Sequence, residues 1–339
     1  MTTNIRRRPV VELAMALDLP ERLFTAHQRD RLNRLATVPH PDPLDEVDSA
    51  SARRRLAHAE VLLTGWGAPR IDAAFLAAAP HLRAIVHAAG SVRPHIDPAC
   101  FVAGIAVSSA AHVNARPVAE YTVAMILLAN KGARKLERQY RDARARVDVW
   151  ADPGIGNRDK TVGIVGASRT GRRVMGLLEP FDLELVVHDP YLTDDDAARL
   201  PAEPVPLDEL LRRSDVVSLH APDVPSTHRL IDARRLGLLR EGATLINTAR
   251  GSLMDHDALI AELRTGRIEA VLDVTDPEPL PADSPLFSLP NVTLTPHIAG
   301  ALGTEVHALA DAALDEVARL RDGRPLLHAV HAADLDRGG

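Results

Sequence analysis

The chain has 339 residues, 46% of them apolar and 25% charged, with a formal net charge of −6 and a single cysteine. That length allows two domains with filled cores, and the composition is that of a globular protein. The negative balance gives no support to a nucleic-acid partner, and one thiol excludes an intrachain disulfide and metal sites built on several thiolates. No apolar stretch reaches the roughly 20 residues of a membrane span.

At the N-terminus Arg6-Arg7-Arg8 precede an apolar run that Glu12 and Asp18 interrupt, so a frayed basic tail fits better than a targeting signal, and a cytoplasmic enzyme is expected. Strand-length apolar runs follow at 10–14, 60–64, 83–88 and 105–108, with helical segments at 20–36, 51–59 and 72–79. Pro20 and Asp72 supply helix-start chemistry. Cys100 is expected in the core, where a free thiol is inert. Residues 116–143 read as one long helix, with Val118, Tyr121, Met125, Leu128 and Ala129 at helical spacing. A Pro/Gly-rich connection, 150–157, closes this part.

A second alternating series begins at Thr161. Strands are expected at 161–165, 183–188, 216–220, 244–247, 270–274 and 292–294, and helices at 170–179, 207–213, 232–239, 255–264 and 302–321. This alternation indicates mostly parallel sheets with helices on both faces. The segment 276–290 carries five prolines, whose fixed φ angles make it a stiff, non-helical loop around Glu278.

After the strand Val162-Gly163-Ile164-Val165 comes Gly166-Ala167-Ser168-Arg169-Thr170-Gly171, a dinucleotide turn in which Ser168 stands where the middle glycine is usual. Its hydroxyl could meet a phosphate oxygen, at some cost to close backbone approach. Asp189 ends the next strand about eighteen residues later, where a carboxylate accepts the adenosine ribose hydroxyls and repels a 2′-phosphate, which favours NAD over NADP. Three further motifs follow strands: Asn247-Thr248-Ala249-Arg250-Gly251, Asp273-Val274-Thr275-Asp276-Pro277-Glu278-Pro279 and Thr295-Pro296-His297-Ile298-Ala299-Gly300. Arg250, Glu278 and His297 thus fall where ligands bind in open α/β sheets, and together they can hold an anion and move a proton. No histidine or acid cluster has metal-ligand spacing, so no metal is expected.

From Lys160 to Gly300 these motifs, with Ser218 to Thr227, resemble the D-isomer-specific 2-hydroxyacid dehydrogenases, and the segment from Ala115 resembles the helix entering that family's nucleotide domain. The resemblance implies an α/β fold of two doubly wound parallel-sheet domains. A flavodoxin-like substrate domain, 1–114, is rejoined by the C-terminal segment 300–339, and a Rossmann NAD domain, 115–299, is inserted. It implies a cleft that closes on substrate, and a homodimer built largely through the nucleotide domain. Catalysis falls to Arg250, which grips the carboxylate and reacting oxygen, His297, which exchanges the proton, and Glu278, which hydrogen-bonds the imidazole.

The implied substrate contacts are Gly90, Ser91 and Val92, through backbone amides, with Arg250 and His297. The implied NAD contacts are Gly166, Ser168, Arg169, Thr170, Gly171, Asp189, Ala221, Pro222, Thr227, Thr248, Ala249, Arg250, Asp273, His297 and Gly300, with Arg169 and Thr170 at the pyrophosphate and Asp273 at the nicotinamide amide. His220 is expected near the cofactor, chiefly through its backbone. Trp66 divides evenly between covering a substrate tail and packing in the core. Arg93 reads as solvated, with a second acidic substrate group as its alternative. The loop 64–69 is not basic and no C-terminal regulatory domain is expected, so the reading leans from phosphoglycerate toward a glyoxylate- or hydroxypyruvate-like 2-oxo or 2-hydroxy acid. An NAD-responsive, corepressor-like binder and a formate- or phosphonate-type oxidiser remain the alternatives.

Overall fold

The computed structural model describes residues 7–44 and 46–335, so Arg6 of the basic tail and the last residues of the C-terminal segment lie outside the described residues. The strands in chain order are β1 (Val11–Ala14), β2 (Val61–Thr64), β3 (Ala84–His87), β4 (Ala106–Ser109), β5 (Lys160–Val165), β6 (Leu183–His188), β7 (Glu203–Pro204), β8 (Val216–Leu219), β9 (Thr244–Asn247), β10 (Glu269–Leu272), β11 (Val292–Leu294) and β12 (Ala329–Val330). The chain divides into two compact units, 1–114 with 301–339, and 115–300.

In the first unit the sheet order is β1-β2-β3-β4-β12. Beyond β1 the segment around Thr37 and Leu44 adds two isolated parallel bridges, Val10 with Thr37 and Ala14 with Leu44. Counting that edge, the parallel strands run 2-1-3-4-5, the flavodoxin-like order. The sheet is not wholly parallel, because β12 pairs antiparallel with β4.

The period-2 alternation of side chains sends alternate residues to opposite faces. Val61 and Leu63 pack with the helices Leu19–Leu23, Ala26–Leu35 and Val306–Arg321, while Leu62 packs with Leu56, Phe75 and Cys100. Cys100 is fully buried, its thiol donates to the Ile71 carbonyl, and burial pushes its pKa up to about 11.

The second unit is a seven-stranded, all-parallel sheet, β11-β10-β9-β8-β5-β6-β7. This is the Rossmann order with one strand added, and its reversal lies between β5 and β8.

Two expected helices differ from the observed ones. The segment 20–36 is two helices, Leu19–Leu23 and Ala26–Leu35, because Thr25 starts the second with a reciprocal cap: Gln28 N–H donates to Thr25 Oγ1, and Thr25 N–H to Gln28 Oε1. The segment 116–143 begins earlier, at Ala111, carries Pro117 inside the helix and breaks at Gly132, whose φ is +57°; a separate helix spans Ala133–Ala143. The proline-rich loop is irregular apart from one 3₁₀ turn, Pro285–Phe287.

Candidate active site

All seven strands of the second sheet point the same way, so their C-terminal ends share one edge. At the reversal, Gly166 has φ +103°, and a Cβ there would lie 2.6 Å from the Ala221 N and 2.7 Å from the His220 carbonyl carbon. Only glycine lets the turn after β5 cross the end of β8 this closely. The helix Arg169–Leu178 then begins with Ser168 as its N-cap, the Gly171 N–H donating to Ser168 Oγ at 3.2 Å. The serine side chain is therefore turned back on its own helix, a use its place in the motif did not disclose.

Asp189 receives the Ala167 N–H at 2.8 Å on Oδ2 and the Tyr191 N–H at 2.9 Å on Oδ1. Each oxygen keeps acceptor capacity, and the acid is tied directly to the glycine turn. The first-turn N–H groups of such a helix have no intrahelical partners and favour an anion. The residues therefore fit a dinucleotide: the pyrophosphate at this helix start and the ribose at Asp189. Thr227 holds the loop beside them, its hydroxyl donating to the Pro222 carbonyl at 2.5 Å and accepting from Val224 N–H at 3.0 Å. His220 is buried with Nε2 2.9 Å from Ser218 Oγ, and burial lowers its pKa to about 4.

The loops after β9, β10 and β11 are locked to one another. Asn247 Nδ2 donates to the Arg250 carbonyl at 2.7 Å and Ala249 N–H donates to Asn247 Oδ1, which fixes the turn presenting Arg250. Thr248 Oγ1 lies 2.9 Å from Thr122 Oγ1. A Cβ on Gly251 would lie 2.0 Å from the Thr275 carbonyl carbon, so this glycine lets the Arg250 loop rest on the backbone that leads to Glu278. The Arg250 guanidinium is exposed, donates to its neighbouring Ala249 carbonyl at 2.6 Å, and has no carboxylate partner among the described residues.

Glu278 Oε1 lies 2.7 Å from His297 Nδ1, and both side chains are half-exposed. His297 has φ +55°, a conformation that costs a non-glycine residue about 1–3 kcal/mol. Asp273 supplies the offset. Its carbonyl accepts the His297 N–H at 2.9 Å, and its carboxylate accepts from Thr295 Oγ1 at 2.6 Å, Ile298 N–H at 2.8 Å and Ala299 N–H at 2.8 Å. Asp273 is 2% exposed. The carboxylate expected at the nicotinamide is thus committed to the loop that carries His297.

Because Thr295 donates to that carboxylate, its oxygen accepts from Tyr121 O–H at 2.9 Å. Burial raises the Tyr121 pKa, which keeps the phenol a donor. His256 steadies the Glu278 loop, its Nε2 accepting the Asp276 N–H at 3.2 Å, and burial lowers its pKa and keeps that nitrogen unprotonated. Tyr121, His256 and Thr295 escaped the sequence reading as site residues. Only Thr295, inside the Thr-Pro-His motif, carried a signal.

The fifteen residues expected at NAD and the catalytic three all lie in this second unit, Gly300 included. Gly90, Ser91 and Val92 belong to the first unit, just beyond β3. Trp66 is 39% exposed and stands outside that unit's core. Thr275 donates to the Pro277 carbonyl at 2.9 Å. Among the described residues, no group of three or more possible ligands could hold a metal, and no helix is long and apolar enough to cross a membrane.

Residues 123–299 match the model of the D-isomer specific 2-hydroxyacid dehydrogenase NAD binding domain. The chain belongs to this family. D-3-phosphoglycerate dehydrogenase of Mycobacterium leprae is 35% identical over 282 residues, 82% of this chain and 52% of that protein. Glyoxylate reductase of Thermofilum pendens is 38% identical over 243 residues, 68% of this chain and 70% of that one. The chain spans about half the length of the mycobacterial relatives it matches.

Among solved structures, D-lactate dehydrogenase of Aquifex aeolicus, complexed with NAD and lactic acid, aligns with a TM-score of 0.71 and 26% identity, over 93% of this chain and 96% of that chain. The resemblance read from the motifs and the doubly wound fold class are both borne out, and the second unit is the family's NAD-binding domain.

Proposed function

We propose that this protein is an NAD-dependent 2-hydroxyacid dehydrogenase working as a 2-oxo acid reductase, with a short acid of the glyoxylate or hydroxypyruvate kind as substrate. The observation that carries the proposal is the His297–Glu278 pair on a loop that Asp273 holds in a strained turn. Glu278 occupies Nδ1, so Nε2 is the nitrogen left to meet a reacting oxygen. In the reductive direction the His297 Nε2–H gives its proton to the substrate oxygen as the carbonyl becomes an alcohol. The Arg250 guanidinium, which has no acid partner among the described residues, binds the substrate carboxylate and offsets the charge that grows on that oxygen. The Ser91 and Val92 amides are proposed as further donors to the carboxylate.

When bound, the nicotinamide supplies the hydride for carbon 2. Asp189 holds the adenosine ribose by its remaining acceptor capacity and disfavours a 2′-phosphate, so NADH is preferred over NADPH. Glyoxylate reductase and D-lactate dehydrogenase among the relatives support a small substrate. We further propose a homodimer.

The test is the loss of NADH absorbance with a panel of 2-oxo acids. Turnover of at least one member above about 1 per second, with NADPH at least tenfold poorer, is the expected result. NADH binding without turnover of any member would instead support a nucleotide-responsive binder.

A further inference from the structure

We infer that Arg93 selects substrates carrying a second anionic group (carboxylate, sulfonate or phosphate) beyond the 2-oxo acid function. The inference rests on the proposed reductase reading and departs from it on one point, the substrate, which becomes a dianionic 2-oxo acid in place of a glyoxylate- or hydroxypyruvate-like one. Arg93 directly follows Gly90-Ser91-Val92, and its backbone is fixed from both sides. Its N–H donates to Ser91 Oγ at 3.3 Å, while the His95 and Ile96 N–H groups return to the Val92 carbonyl at 2.9 and 3.0 Å. The Val92 side chain is fully buried beneath the turn, and Pro94 restricts the backbone that follows.

The Arg93 side chain is partly withdrawn from water, yet among the described residues no hydrogen bond or ion pair reaches its guanidinium. Among the described residues of this unit the other half-buried arginines are committed: Arg31 to Asp311 and Asp315, Arg55 to Glu12, Arg319 to the Pro325 carbonyl and Arg321 to Asp322. The acids nearest in the chain are committed as well. Asp97 accepts from Arg70 and from Ala99 N–H, and Asp72 caps a helix at Phe75 N–H. The histidines of the same region do not compete as cations, since burial lowers the pKa of His95 and takes that of His87 to about 3.

Arg93 is therefore a standing positive charge on a rigid turn beside the amides proposed for the substrate carboxylate. A guanidinium half out of water without a partner is unfavourable, and a ligand anion removes that penalty. Its planar fork matches a carboxylate, sulfonate or phosphate with two parallel hydrogen bonds.

The experiment compares NADH-dependent reduction of oxaloacetate, 3-sulfopyruvate and 3-phosphohydroxypyruvate with that of pyruvate and hydroxypyruvate, for the wild type, R93A and R93K. Hydrogen bonds to a charged group lead to an expected preference in kcat/KM of about tenfold to a hundredfold for at least one dianionic acid over pyruvate. R93A should abolish that preference through KM, and R93K should restore part of it, with the most favoured acid identifying the anion. A wild-type preference near one, or one that R93A leaves intact, overturns the inference. Turnover of pyruvate or hydroxypyruvate would then leave the reductase reading standing. Absence of turnover with every acid overturns both.

Discussion

Asp273 accepts Thr295, Ile298 and Ala299 on its carboxylate and His297 on its carbonyl, so one buried residue sets the direction of the imidazole. Replacing it with asparagine turns one oxygen into an NH₂ group that faces a loop donor. A lost bond to a buried charge costs about 1.5–3 kcal/mol. We therefore expect Asp273→Asn to lower kcat by at least about tenfold and to lower the melting temperature. Steady-state kinetics and a thermal melt check this, and unchanged values in both would refute the anchoring role. Arg250, Glu278 and His297 were legible in the sequence because their residue types and strand-end positions name the chemistry. The anchoring by Asp273 was not, since an acid ending a strand reads the same whether it meets a ligand or loop amides. Ser168 was half legible: its place in the turn was plain, and the Gly171 N–H it caps was not.

At the scale of elements, ten of the twelve described strands were read to within a residue or two because buried parallel strands are continuous apolar runs. What escaped was set by partners distant in the chain or by a single cap. The edge at Thr37 and Leu44 consists of bridges without a run, β7 and β12 are each two residues long, and Thr25 divides one helical stretch into two. The helix Ala133–Ala143 shows a further limit: none of its residues is buried, and Leu136 and Tyr140 lie one turn apart on one face. Tyr140 is 65% exposed and Trp150, shortly after, 86%. Apolar surface gathered in one segment is what association covers. We propose a second copy of this chain as its partner, in keeping with the two-fold dimers that dominate among oligomers. Sedimentation should give twice the chain mass, with Tyr140→Glu plus Trp150→Glu shifting it toward the monomer. A monomeric wild type at micromolar concentration would contradict the assignment.

For the whole molecule, each unit encloses a neutral histidine: His87 in the first, with a pKa lowered to about 3, and His220 in the second, lowered to about 4. Burial is the largest cause in both. In the unfolded chain these imidazoles protonate near 6.5, so below that pH the unfolded state binds more protons than the folded one. Stability supplied by the two neutral rings is full above about pH 7 and declines as pH falls from 6.5 toward 4. Denaturant unfolding at pH 7.5, 6 and 5 should show both units weakening, and a stability that stays flat over this interval would contradict it.

The central claim is that His297 moves the proton while the nucleotide site stands apart from that duty. It is tested most directly by kcat and NADH affinity of His297→Ala on the best 2-oxo acid found. Loss of a positioned acid predicts a kcat lower by about 10²–10⁴-fold, with NADH affinity changed by less than about tenfold and Glu278→Gln falling between the two. A kcat within about threefold of the wild type would contradict the account.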